Sequence, residues 1–61
     1  MGKFKLSLIT DNDAFGDYPG YEIARILRGA AEVIQEGSEV GVLKDYNGNT
    51  VGEYRLEGEG E

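Results

Sequence analysis

The sequence predicts an α+β fold in which one helix lies across one face of a three-stranded antiparallel sheet. Three stretches predict it. Residues 3–10 (KFKLSLIT) alternate apolar and polar, residues 19–36 (PGYEIARILRGAAEVIQE) repeat apolar residues at helical spacing, and residues 39–56 hold two short strands around Asn47-Gly48. Bringing the first strand beside the last makes every pairing antiparallel, in the two-layer order β-α-β-β with spatial order 1-3-2.

In the first strand Phe4, Leu6 and Leu8 point one way, while Lys3, Lys5 and Ser7 point the other. Ile9 breaks the alternation by placing an aliphatic side chain on the polar face. The next loop, residues 11–18 (DNDAFGDY), is too polar and too glycine-bearing to continue the strand. Phe15 is its misfit, and a large aromatic there is expected to fold back over the open end of the helix–sheet layer. Asp17 lies close to the helix start, where a carboxylate is favoured by free amides and the helix dipole.

Placing Ile23 at zero on a helical wheel brings Ile26, Leu27, Ala30 and Ile34 into one stripe, with Ala31 and Val33 at its margins. Glu22, Arg25, Arg28, Glu32, Gln35 and Glu36 fall on the other side. Pro19 suits a first helical position, where its missing amide would have no partner anyway, and Gly37 suits a left-handed stop. Gly29 costs about 1 kcal/mol relative to alanine unless something packs closely against it.

Around Asn47-Gly48 loop length decides the strand pairing. A two-residue turn sets Val40 and Val42 opposite Arg55 and Glu53, mixing apolar and charged side chains. A three-residue loop, Tyr46-Asn47-Gly48 with a left-handed glycine, pairs Val40 with Tyr54 and Val42 with Gly52. The second gives the cleaner segregation. It turns Val40, Val42, Tyr54 and Leu56 towards the helix and leaves Leu43 and Val51 on the far side with Glu53 and Arg55. The expected core is Phe4, Leu6, Leu8, Ile23, Ile26, Leu27, Ala30, Ile34, Val40, Val42, Tyr54 and Leu56.

Residues 1–56 form one domain, and the acidic end, residues 57–61 (EGEGE), has nothing apolar to bury and is expected to be disordered. A chain of 61 residues has a small core, and without cysteine or histidine neither a disulfide nor an ordinary zinc site can staple it. Twelve acidic residues against six basic ones give a net charge of −6, which argues against direct nucleic-acid binding. No stretch is long and apolar enough for a membrane span, so the chain is read as soluble and cytoplasmic.

Counting Asp11 as position one places Asp13 at three, Gly16 at six, Asp17 at seven and Glu22 at twelve, close to a calcium-binding EF-hand loop. Phe15 occupies position five, where an oxygen donor belongs, and a strand rather than a helix precedes the loop. A calcium-responsive loop over residues 11–22 is therefore the alternative, and an acidic, partner-facing cluster of Asp11, Asp13, Asp17 and Glu22 the main expectation. For catalysis, Ser7 and Ser38 have no histidine to activate them and a single-helix layer offers no deep pocket. No catalytic residue, metal ligand or cofactor is assigned, and enzyme activity is not expected. Ile9, Leu43 and Val51, on the outer face of the sheet, form an apolar patch for a partner or a second copy.

Taken together, FKLSLITDNDAF, EIARILRGAAEVIQEG and LKDYNGNTVGEY resemble a group of small proteins of phages and other bacterial mobile elements, with a TDN-A-F loop, an EIARIL-type helix and a DxNGN hairpin. The resemblance spans nearly the whole chain, and its motifs are structural. It implies a phage accessory protein, of a kind that blocks host defence or nucleic-acid-binding machinery by presenting carboxylates in place of phosphates. The expected function is a small non-enzymatic protein-interaction module whose partner is another protein. A structural homodimer with no further ligand is the second alternative.

Overall fold

A computed structural model describes residues 2–58. Strand β1 (Lys3–Leu8) leads through a 3-10 turn (Asp13–Phe15) into helix α1 (Pro19–Gln35), followed by the hairpin of β2 (Val40–Lys44) and β3 (Thr50–Glu57). Strand β3 lies between the other two, and both of its pairings are antiparallel. This is the α+β arrangement with order 1-3-2 that the chain's periodicities predict.

Local signals set the helix ends. Pro19 opens α1, and at its close Gly37, at φ 116°, donates to the Ile34 carbonyl while the Ser38 amide reaches back to Val33. Those two bonds satisfy carbonyls that the last turn would otherwise leave unpaired. Asp17 makes no capping bond. Tyr18 takes the cap position without a side-chain contribution, and the polar cap belongs instead to the 3-10 turn, where Asn12 accepts from the Ala14 amide at 2.9 Å.

The hairpin turn is the three-residue loop expected, with Asp45 donating its amide to the Asn49 carbonyl and Gly48 at φ 88°. One step further the register shifts. Lys44 faces Thr50 but Leu43 faces Gly52, so Val51 is an extra residue, a β-bulge, and beyond it Val42 meets Glu53, Gly41 meets Tyr54 and Val40 meets Arg55. A one-residue shift exchanges the two faces of β2. Leu43 and Val51 therefore enter the core at 4% and 7% exposure, while Val40 and Val42 face solvent at 60% and 58%.

Tyr54 supplies the physical reason. Its ring lies across Gly41, where a Cβ would approach its hydroxyl to 2.6 Å, and that hydroxyl meets Ser38 Oγ at 2.6 Å. Only the shifted register sets a glycine opposite the tyrosine. The unshifted pairing would oppose Tyr54 with Val40.

The core comprises Ala14, Phe15, Ile26, Ala30, Leu43, Val51 and Tyr54, with Leu6, Leu8, Ile23 and Ile34 packed against it. Phe15 folds back as expected and closes the hairpin-turn end. Phe4, Leu27 and Leu56, expected inside, remain half-exposed, because α1 packs closest to β2 and the 3-10 turn and leaves the Phe4–Leu56 end of the inner face less covered than Leu6 and Leu8. Phe4 is partly covered by stacking on Tyr54, ring centroids 6.1 Å apart. Glu57, expected to begin the tail, closes β3 opposite Lys3 and pairs with Lys5 at 3.5 Å. Gly58 follows it outside any helix or strand, and residues 59–61 of that expected tail lie outside the described residues.

Candidate functional site

Two buried carboxylates tie the loop, the helix start and the hairpin turn together. Asp45 accepts through Oδ1 from the Asn47 and Asn49 amides, both at 2.9 Å, and through Oδ2 from Asn12 Nδ2 at 2.7 Å and Asn49 Nδ2 at 3.2 Å. Burial pushes its carboxyl up, but the bonds from Asn49, Asn12 and Asn47 outweigh that and hold it below the usual carboxylate range. Glu22 accepts a two-pronged bond from Arg25, Nε to Oε1 and Nη2 to Oε2 at 2.8 Å each, and the Tyr46 amide donates to Oε2 at 2.9 Å. The Arg25 bond, working against burial, holds the Glu22 carboxyl below its ordinary value.

The helical wheel puts Glu22 on the solvent side, among the acids expected to face a partner. The structure corrects both. It is 3% exposed and its oxygens are occupied by Arg25 and Tyr46. The twelfth position of the calcium-type spacing is thus turned inward, and among the described residues no group of acids is placed to hold a metal ion. Asp11, Asp13 and Asp17 are exposed as expected.

The outer-face patch is corrected in the same way. Ile9 is exposed, but Leu43 and Val51 are core residues, so the three cannot form one surface. Val40 and Val42 face outward instead, beside Lys5, Glu53 and Arg55 in a depression of about 460 Å³.

With the hairpin turn tied to the helix start, a cleft of about 280 Å³ opens between them, lined by Asp13, Asp17, Tyr18, Tyr21 and Tyr46 among others. The three tyrosines are 78%, 75% and 64% exposed respectively from Tyr18 to Tyr46. None of the three is among the site residues expected from the sequence. Tyr18 at the cap position and Tyr21 in the first turn sit three residues apart, a spacing visible in the sequence, whereas Tyr46 is brought beside them from the hairpin by the bond from its amide to Glu22. Chemically the cleft offers aromatic faces and carboxylates without a nucleophile beside a base. The one serine in a short contact, Ser38, is bound to Tyr54 and the Val40 carbonyl.

No protein-family model matches the chain, and no curated protein or solved structure matches it. Among the described residues no helix is long and apolar enough to cross a membrane.

Proposed function

We propose that the chain is a non-enzymatic protein-interaction module that docks through the tyrosine-lined cleft onto a basic patch of another protein. The observation that carries this reading is the convergence of Tyr18, Tyr21 and Tyr46 around Asp13 and Asp17. Tyrosine offers a large contact area at small entropic cost, and its ring attracts a lysine or arginine that neighbouring carboxylates also favour. Only Lys5–Glu57 and Arg25–Glu22 pair as salt bridges among the described residues, which leaves Asp13 and Asp17 open to a cationic partner. In the finer form of the proposal, the module acts in the cytoplasm as a phage or mobile-element accessory protein that inhibits a host nucleic-acid-binding or defence protein. The motif resemblance and the net charge of −6 support it. The calcium-responsive alternative has less support, because Glu22 is committed to Arg25.

The test compares proteins captured from a bacterial lysate by the unaltered chain and by a Tyr21→Ala/Tyr46→Ala variant with an unchanged far-UV spectrum. A basic protein held by the first, lost tenfold or more with the second and released by raised salt supports the proposal. Identical captured sets reject it.

A further inference from the structure

The two edges of the sheet are treated differently. In β2 the Glu39 carbonyl accepts from Leu56 and the Asp45 amide donates to Asn49, so odd-numbered residues face β3 while the backbones of Val40, Val42 and Lys44 face outward. Ser38 Oγ covers the Val40 carbonyl at 3.3 Å and Arg25 Nη2 covers that of Lys44 at 3.4 Å. Two of the three outward carbonyls of that edge are thus engaged, leaving the Val42 carbonyl between them. In β1 the Ile9 amide donates to Val51, so odd-numbered residues again face inward and the backbones of Phe4, Leu6 and Leu8 face outward. Among the described residues no side chain and no segment outside the sheet hydrogen-bonds to them.

The open edge coincides with the open part of the inner face. Phe4 and its β3 partner Leu56 are 46% and 40% exposed on this flank, and among the described residues no large side chain falls below 2% exposure. A domain so thinly packed gains stability from association. We infer that the β1 edge is the site of a homodimer, in which β1 of a second copy pairs antiparallel about a two-fold axis and extends the sheet to six strands, in the order 2-3-1-1-3-2.

The strand is self-complementary in the register this requires. Outward-facing backbones must meet in pairs, so a two-fold at Leu6 sets Phe4 opposite Leu8 of the second copy and Leu6 opposite Leu6, with apolar side chains on the helix side. On the other face it sets Lys5 opposite Ser7 and Lys3 opposite Ile9, so no lysine lies directly opposite a lysine, the two Lys5 being diagonal neighbours, and the exposed Ile9 gains a neighbour. A two-fold at Lys5 would oppose the two ammonium groups and is disfavoured. Lysine on an edge strand ordinarily discourages pairing. Here Lys5 is already partnered by Glu57, which is also the cross-strand neighbour of Lys3.

Sedimentation equilibrium from micromolar to millimolar concentration tests the inference. The unaltered chain should move from monomer to twice the monomer mass, Phe4→Glu should remain monomeric, and Val42→Glu, on the other edge, should dimerise like the parent. Amide exchange of the unaltered chain gives a second measurement independent of any variant. The outward amides of Phe4, Leu6 and Leu8 should exchange at least tenfold more slowly in concentrated than in dilute solution, whereas Val42 should not change. A monomer at millimolar concentration, dimerisation lost in Val42→Glu but kept in Phe4→Glu, or slowing at Val42 rather than at Leu6 would overturn it. None of these outcomes depends on a partner docking at the tyrosine cleft, which lies at the hairpin-turn end.

Discussion

Truncating Leu43 and Val42 one at a time to alanine asks which face of β2 the helix covers. Leu43 is 4% exposed in the core beside Ile26, Ala30 and Tyr54, whereas Val42 is 58% exposed on the outer face. Removing a buried leucine side chain costs about 2–5 kcal/mol, the transfer free energy of the lost carbons plus the cavity left behind. A domain of this length holds roughly 3–9 kcal/mol in total. Leu43→Ala should therefore remove a large fraction of the stability, while Val42→Ala should cost less than about 1 kcal/mol, the span of strand preference at an exposed position. Urea unfolding followed by far-UV circular dichroism reads both. With an m-value of about 1 kcal/mol per molar, the Leu43→Ala midpoint should fall by roughly 2 M or more, and that of Val42→Ala by under about 1 M. A larger loss at Val42 than at Leu43 would refute the bulge at Val51 and restore the unshifted register.

Gly41→Ala should destabilise by about 1–3 kcal/mol, since its Cβ would meet the Tyr54 ring, and should alter the tyrosine near-UV signal as that ring is displaced. Gly29→Ala should stabilise by about 1 kcal/mol, raising the melting temperature by roughly 4–8 °C, because nothing lies within 4 Å of the added carbon. Glu22 and Asp45 both have carboxyls held below their ordinary values in the folded chain, so the unfolded chain binds more protons in acid. Their contribution is fully present above the unfolded carboxyl values, near about pH 4, and is lost as pH falls through the lower folded values. Stability measured between pH 7 and pH 2 should fall on that limb, and Glu22→Gln with Asp45→Asn should flatten it; an acid limb identical to the parent's would count against the two carboxylates.

The pieces of the fold that depend on neighbours in the chain were readable from residue order. Alternation over residues 3–8, the apolar repeat between Pro19 and Gly37, and Asn47-Gly48 each encode a backbone preference acting over a few residues, and together they implied one helix on a sheet of order 1-3-2. The acids at 11, 13 and 17 were equally legible as exposed, since they lie in a polar loop between the strand and the helix. The assignments that failed depend on atoms brought together from far apart. Glu22 reads as a solvent-side residue on any helical wheel, yet the Tyr46 amide, 24 residues away, completes its coordination with Arg25 and lets it be buried.

The bulge at Val51 is the same lesson on the sheet. Counting back from the turn predicts the first pairing, Asp45 with Asn49, but the next step depends on whether the Tyr54 ring finds a glycine or a valine across the strand. Residue order alone therefore specified the elements, their sequence and the charge of the surface. Folding in three dimensions selected the register, the inward face of β2 and the cleft between Tyr21 and Tyr46, because packing and buried hydrogen bonds join groups that no local pattern relates.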